Sequence, residues 1–179
     1  MPRGATRGGY KGDLPVECCG MTARVYIATT VPSAHVATRT DAGSVHRRNV
    51  TREWWASQLA QYDCWVSDNV ELELRNGDWP GKDEAIRLIT PLRRLDIDAE
   101  VLGVAGKYID EKLVPANLGG DATHLAVACV HEVDFLLTWN IRHLANPNKM
   151  NHLIVINRRL SLLTPQIVTP EMLWLEEAL

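Results

Sequence analysis

Short apolar runs alternate with amphipathic segments along most of the chain. Runs with the length of buried strands occur at residues 24–27, 64–66, 92–97, 135–139 and 165–169. Segments with helical spacing lie between them, at residues 45–62, 68–76, 82–89, 98–112, 121–131 and 147–160. A shorter helix is expected to begin near Pro32. This alternation predicts an α/β domain with a mostly parallel, short-stranded sheet that helices cover on both faces.

The stretch at residues 119–146 is the centre of this pattern. Two glycines and Asp121 begin a helix of small and apolar residues, and a buried strand then ends at the polar residue Asn140. The amino end of a helix and the carboxyl end of the next strand meet at one edge of a parallel sheet. That edge is where α/β proteins usually carry their chemistry.

Polar residues also follow the other predicted strands or lie on the helices after them. The full set is Thr29, Thr30, Glu71, Glu73, Asp121, Thr138 and Asn140. Carboxylates that converge on one edge repel each other unless a cation joins them, and oxygen ligands suit Mg²⁺ or Mn²⁺. Each residue also has a purely structural interpretation. Asp121 fits a helix cap, the two glutamates fit a solvated helix face, and Thr138 fits a strand.

Composition narrows the class of protein. A chain of 179 residues with 46% hydrophobic residues suits one compact domain with a substantial core. The net charge of -3 argues against a protein whose whole surface attracts nucleic acid, so any such role must be local. No apolar run reaches the length of a membrane span, and the expected location is the cytoplasm. The four cysteines fit neither a disulfide framework nor a zinc motif.

The first twenty residues differ from the rest. Residues 1–20 are rich in glycine and arginine and lack an apolar core, so they predict a disordered extension rather than a secretion signal. A strand-like run follows Met21 directly, which indicates that Met21 is the natural first residue. The expected globular domain is therefore residues 21–179.

Four segments resemble a PIN domain, in particular the VapC-like toxins of type II toxin–antitoxin systems. They are residues 25–33 (VYIATTVPS), residues 65–78 with Glu73 and Gly77-Asp78, residues 121–124 (DATH), and residues 136–146 (LLTWNIRHLAN). The resemblance covers nearly all of residues 21–176, with the four segments in the same order. Together they form a specific signal, although each one alone would not.

This resemblance implies a three-layer α/β/α sandwich and a metal-dependent endoribonuclease. Acidic side chains of such enzymes hold Mg²⁺ or Mn²⁺, which activates water for attack on an RNA phosphodiester. It also implies three partners, namely an RNA substrate, a cognate antitoxin protein and a second copy of the chain in a homodimer.

The same resemblance assigns the site residues. Glu73 matches the acid on the helix after the second strand, with Glu71 as the alternative register, and Asp121 matches the acid before the fourth strand. Asn140 occupies a position where many relatives carry Asp, so the expected metal ligands are Glu73, Asp121 and Asn140. Thr138 is expected to orient a metal-bound water.

Ala28 departs from the family pattern. Relatives carry an acidic ligand directly after the first strand, and a methyl group cannot coordinate a cation. We therefore expect weakened metal binding and impaired cleavage. Either the lineage lost this residue or the residue was replaced to inactivate a toxic enzyme. The alternative function is a catalytically inactive PIN-fold module that binds RNA or a protein partner.

Basic residues near the predicted site are candidates for binding RNA. Arg47, Arg48, Arg52, Arg142 and His143 fit either a groove that holds RNA phosphates or a solvated surface. Trp54 and Trp55 have the helical spacing of core or interface residues rather than of a base-stacking platform.

Overall fold

A computed structural model of the protein describes residues 22–116 and 119–175. The extension predicted at residues 1–20 lies outside the described residues. The strands are β1 (Arg24–Ile27), β2 (Asp63–Ser67), β3 (Arg93–Leu95), β4 (Phe135–Leu137) and β5 (Gln166–Val168). The helices are α1 (Thr30–His35), α2 (Ala42–Ser57), α3 (Asp68–Arg75), α4 (Lys82–Ile89), α5 (Ala99–Asp110), α6 (Gly119–Val130) and α7 (Pro147–Arg159), with a 3-10 turn at Leu59–Gln61.

The strands form one parallel sheet in the order β3-β2-β1-β4-β5. Strand β1 is central, and its Val25 pairs with Cys64 on one side and with Phe135 on the other. Parallel neighbours require a crossover connection, which the intervening helices supply. The prediction of an α/β fold with a parallel sheet is thus confirmed, and the carboxyl ends of all these strands lie at the same edge.

Three strands, β3, β4 and β5, are shorter than predicted, and local hydrogen bonds explain this for β4 and β3. Strand β4 ends at Leu137 rather than at residue 139, because the Trp139 amide donates to the Thr30 hydroxyl instead of to a neighbouring strand (2.9 Å). Strand β3 covers three residues, because the Leu92 amide still bonds to the last turn of α4 through Ile89 (3.0 Å).

Helix α2 begins earlier than its hydrophobic spacing predicts. The Asp41 carboxylate accepts a hydrogen bond from the Ser44 amide (3.0 Å) and caps the helix, which begins at Ala42, three residues before the expected start at residue 45. Asp98 caps α5 in the same way through the Val101 amide (2.9 Å). Helix N-termini leave unpaired amides, and a short acidic side chain satisfies one of them.

The core lies on both sides of β1 and includes one tryptophan from α2. Val25, Tyr26 and Ile27 have no exposed surface, and neither does Trp54. The Trp54 ring stacks near Tyr62, and its indole N–H donates to the Leu173 carbonyl (2.7 Å), which anchors the C-terminal segment to α2. This confirms that Trp54 is a packing residue. No helix within residues 22–116 and 119–175 is both long enough and apolar enough to cross a membrane.

A buried asparagine joins three helices to the segment before β5. The Asn157 carbonyl accepts a hydrogen bond from the Tyr108 hydroxyl (2.6 Å), and its amide nitrogen donates to Thr164 (2.9 Å) and Cys129 (3.3 Å). Asn157 has no exposed surface. A buried polar group is tolerated only when it is hydrogen-bonded, and here both ends of the amide have partners.

We expect Asn157→Ala to destabilise the fold by about 2–3 kcal/mol, because it leaves the Tyr108 hydroxyl buried without an acceptor and opens a small void. Urea denaturation followed by circular dichroism would measure the change. Asn151→Ala, at an exposed position of the same helix, is the matched control and should change stability by less than about 0.5 kcal/mol. Equal effects of the two substitutions would contradict a structural role for Asn157.

Candidate metal and catalytic site

The residues predicted to carry chemistry meet at the carboxyl edge of the sheet. Ala28 follows β1 directly, Glu73 lies in α3 after β2, and Asp121 lies in the first turn of α6. Thr138 and Asn140 follow β4. Hydrogen bonds and close contacts connect these segments, so the sequence-based grouping of the residues corresponds to one place in the fold.

Three side chains donate hydrogen bonds to the Glu73 carboxylate. Thr29 and His124 Nε2 (3.1 Å) contact one oxygen, and the Asn69 amide nitrogen contacts the other (3.2 Å). Burial, the largest influence, raises the pKa of Glu73, but the hydrogen bonds and the charge interaction with His124 outweigh it and leave the pKa lowered. Glu73 is therefore held as a carboxylate.

Glu73 also lies against the start of α6. A Cβ atom built on Gly120 would fall 2.1 Å from Glu73 Oε1, so the absence of a side chain at this position permits the approach. Because Asp121 is the next residue, this contact brings the two acids into one neighbourhood. The alternative residue, Glu71, instead pairs with Arg75 and Arg94. This geometry favours Glu73 over Glu71 as the site residue.

Asp121 is a partly buried carboxylate with one oxygen in use. Its Oδ1 accepts a hydrogen bond from the Asn140 amide nitrogen (2.8 Å), whereas Oδ2 is buried and has no partner among the described residues. Burial raises the pKa of Asp121, and the Glu73 charge raises it further, although nearby His124, His143 and Asn140 act in the opposite direction. An unpartnered buried oxygen of this kind is costly unless another group binds it.

Asn140 bridges Asp121 and its own turn. Its amide nitrogen faces Asp121, and its Oδ1 accepts a hydrogen bond from the His143 backbone amide (3.2 Å). Asn140 therefore orients Asp121 in this structure, and its predicted role as an oxygen ligand stays a prediction.

Thr138 is fully buried and holds the turn after β4. Its hydroxyl lies 3.1 Å from that of Thr30 and accepts a hydrogen bond from the Asn140 amide (3.0 Å). These contacts fix the direction in which Asn140 leaves the strand. The predicted role of Thr138 in orienting a metal-bound water stays a prediction.

Ala28 lies at the centre of the edge and carries no polar side-chain group. It is 1% exposed, and its amide donates to the Leu137 carbonyl (3.0 Å), which continues the sheet by one residue. The position expected for a third acid thus offers only a methyl group.

His124 is part of the site, although the sequence analysis did not include it among the candidate residues. Its ring is 3% exposed, with Nδ1 2.9 Å from the Tyr26 hydroxyl, which in turn lies 2.6 Å from the Ser67 hydroxyl. Nε2 donates to the Glu73 carboxylate (3.1 Å), so the ring links the Tyr26–Ser67 hydroxyl pair to Glu73. The signal in the sequence was the spacing of three residues from Asp121, which places both on one helix face.

The described residues fit a divalent cation in part. Glu73 and Asp121 supply two carboxylates, and the unpartnered Asp121 Oδ2 is a free ligand atom. No cluster of three or more His, Cys, Asp or Glu residues suited to a metal ion occurs in the part of the chain that the structure describes. The site therefore has the ligand chemistry for Mg²⁺ or Mn²⁺ with one strong ligand fewer than the family pattern implies.

Comparison with known proteins defines the class of fold. No protein-family model matches the sequence, and no curated protein matches it. Among solved structures, the chain resembles a VapC toxin, and the architecture is the PIN-like fold. That toxin is VapC20 of Mycobacterium tuberculosis, described as a sarcin-ricin loop cleaving toxin. The match has 17% sequence identity and a TM-score of 0.50, and it covers 69% of this chain and 95% of VapC20.

The raised pKa of Asp121 predicts how the stability of the metal-free protein depends on pH. Its folded-state pKa lies above the unfolded one, so the folded state loses stability as pH rises through this window, and the loss is complete above the folded pKa. In EDTA at pH 7, Asp121→Asn should therefore raise Tm above that of the parent chain, because it removes a charge that burial and Glu73 disfavour. The gain should disappear below the ordinary Asp pKa of about 3.9.

Thermal unfolding at the two pH values would measure this difference. Asp96→Asn removes the same charge from an exposed loop and is the matched control, with no change in Tm expected at either pH. A Tm of Asp121→Asn equal to that of the parent chain at pH 7 would contradict the argument.

Proposed function

We propose that this protein is a VapC-like endoribonuclease whose cleavage depends on Mg²⁺ or Mn²⁺ and is impaired by Ala28. The observation that carries the proposal is the pairing of two acids at the carboxyl edge of a PIN-like sheet, with Asp121 Oδ2 buried and unpartnered within residues 22–116 and 119–175. The likeness to VapC20, a toxin that cleaves the sarcin-ricin loop, supports RNA as the substrate class.

Glu73 and Asp121 would hold the cation, with Asn140 as the expected third ligand. When bound, such an ion polarises a phosphoryl oxygen and lowers the pKa of a water molecule that attacks the phosphodiester. The protein's own contribution is orientation. Thr29 and His124 fix the Glu73 carboxylate, and Asn140 fixes that of Asp121. Preorganised ligands of this kind avoid the cost of ordering them during the reaction.

Ala28 reduces both ligand number and charge. Two carboxylates neutralise a divalent cation, but a third would tighten binding and leave the ion better positioned for catalysis. We expect the chain to bind the ion more weakly than an enzyme with an acid at this position. A cognate antitoxin and a homodimeric partner belong to the same proposal, since both accompany VapC-like toxins.

A second function is favoured by the state of Glu73. Its two oxygens already accept hydrogen bonds from three protein side chains, so the carboxylate is satisfied without a cation. This arrangement suits a PIN-fold module that has lost cleavage and retains binding to RNA or to a protein. The two functions differ in one measurable property, which is whether a restored acid at position 28 brings cleavage back.

Ala28→Asp should increase cleavage of RNA in the presence of Mn²⁺ by about 100-fold or more, because a restored ligand is worth several kcal/mol of charge stabilisation in the transition state. Gel analysis of single-stranded and structured RNA substrates would measure the rate. EDTA should abolish the gain.

The double variant Ala28→Asp with Asp121→Asn is the matched control, and it should return cleavage to the background rate. If Ala28→Asp leaves both RNA types uncut while the protein remains folded, the ribonuclease proposal is wrong and the binding module is the better description.

A further inference from the structure

A cavity of about 340 Å³ opens beside Glu73, between α1, α2 and the turn after β4. Hydroxyl groups from α1 and its approach, including Thr29 and Ser33, line one side, and Arg47 of α2 lines another. Glu73 and Trp139 also line the cavity. The cavity therefore shares Glu73 with the candidate site. It also contains one positively charged side chain, that of Arg47.

Arg47 differs from the two other arginines on the same helix. Arg48 donates to the Ala37 carbonyl (2.9 Å) and Arg52 donates to the His35 carbonyl (2.8 Å), so their side chains hold the end of α1 and the segment after it. Arg47 is exposed; its carbonyl accepts a hydrogen bond from the Thr51 hydroxyl (2.6 Å), but its guanidinium makes no hydrogen bond or ion pair with another residue of the described ranges. Its guanidinium is thus the one of these three that is available to a ligand.

The lining indicates which part of a nucleic acid would enter. The Trp139 ring is 7% exposed and its indole N–H donates to Thr51 (2.8 Å), so it forms a wall and does not offer a face for base stacking. Because the Thr29 hydroxyl already donates to Glu73, the Arg47 guanidinium and the Ser33 hydroxyl are left to donate to an anion, and such donors bind phosphate oxygens well. The cavity suits the backbone of a strand rather than its bases.

We infer that this cavity is a phosphate subsite in which Arg47 binds the RNA backbone beside the position of Glu73 and Asp121. The inference rests on the proposed function for its substrate class. Two clustered carboxylates repel a polyanion, and a cation at the neighbouring cavity offsets this repulsion as the strand approaches. Such a contact positions the strand without reading its sequence.

An acidic protein segment would offer carboxylates to the same guanidinium. RNA is favoured because the cavity shares Glu73 with the centre proposed to act on a phosphodiester, so one strand could occupy both. A protein segment would gain nothing from that continuity. Polyglutamate therefore serves as the competing ligand in the test.

Binding of a fluorescein-labelled single-stranded RNA, measured by anisotropy in EDTA across a series of NaCl concentrations, tests this subsite without any cleavage. Arg47→Gln should weaken binding about tenfold at low salt, and the slope of log K against log salt should fall by about 0.7, the value for one phosphate contact on a single strand. Arg47→Lys should keep most of the slope, because it keeps the charge.

Arg158→Gln is the matched control, since Arg158 is an exposed arginine in the last turn of α7 and does not line the cavity. It should bind RNA as the parent chain does, and thermal unfolding should show both variants folded. The subsite is overturned if Arg47→Gln binds like the parent chain or if Arg158→Gln loses as much affinity. It is also overturned if polyglutamate, rather than RNA, binds in an Arg47-dependent way.

The results separate this inference from the proposed function. Cleavage by Ala28→Asp together with normal RNA binding by Arg47→Gln would contradict the subsite and support the ribonuclease proposal. Loss of RNA binding in Arg47→Gln without cleavage by Ala28→Asp would support the subsite and contradict the ribonuclease proposal.

Discussion

Two carboxylates held close together at one edge of the sheet are the constraint on which the candidate site depends. Glu73 and Asp121 repel each other, and both are partly removed from water. Hydrogen-bond donors from four different segments offset this cost: Thr29 after β1, Asn69 on α3, His124 on α6 and Asn140 after β4. The order of strands in the sheet brings these segments together, so the arrangement of charges at the site depends on the fold.

The methyl group of Ala28 changes the balance of that arrangement. With an acid at this position, three charges would share the edge, and the folded protein would depend more strongly on a bound cation. With alanine, the Glu73 charge is met by protein donors alone, whereas Asp121 keeps one unsatisfied oxygen. Protein donors thus satisfy Glu73, while Asp121 retains, among the described residues, one oxygen atom that a cation would satisfy.

Much of the fold was predictable, because it follows from local patterns. The strands and most helices lie where apolar spacing placed them, and Asp98 caps α5 as its position before the helix indicates. Contacts between residues far apart in the chain were not predictable in this way. Ser67 occupies a capping position, but its hydroxyl bonds to Tyr26, 41 residues away. That partner is set by sheet register, which local spacing does not specify.

The candidate site was predicted in part for the same reason. Glu73, Asp121 and Asn140 were found because a family pattern names them, and the structure brings them together. The roles predicted for them as ligands stay predictions. His124 was missed because its partner Glu73 lies 51 residues away and because a lone histidine in an apolar helix carries no charge pattern.

Because Glu73 lies so close to Gly120, the geometry of the site depends on a residue that has no side chain of its own. A side chain at position 120 would meet the far end of Glu73, which can rotate, and not the backbone of α3. The backbone could therefore accommodate a larger residue there while the carboxylate swings out of line with Asp121. The three hydrogen bonds that hold Glu73 would be lost with this movement, so a change at position 120 would alter the site while every acidic residue stayed in place.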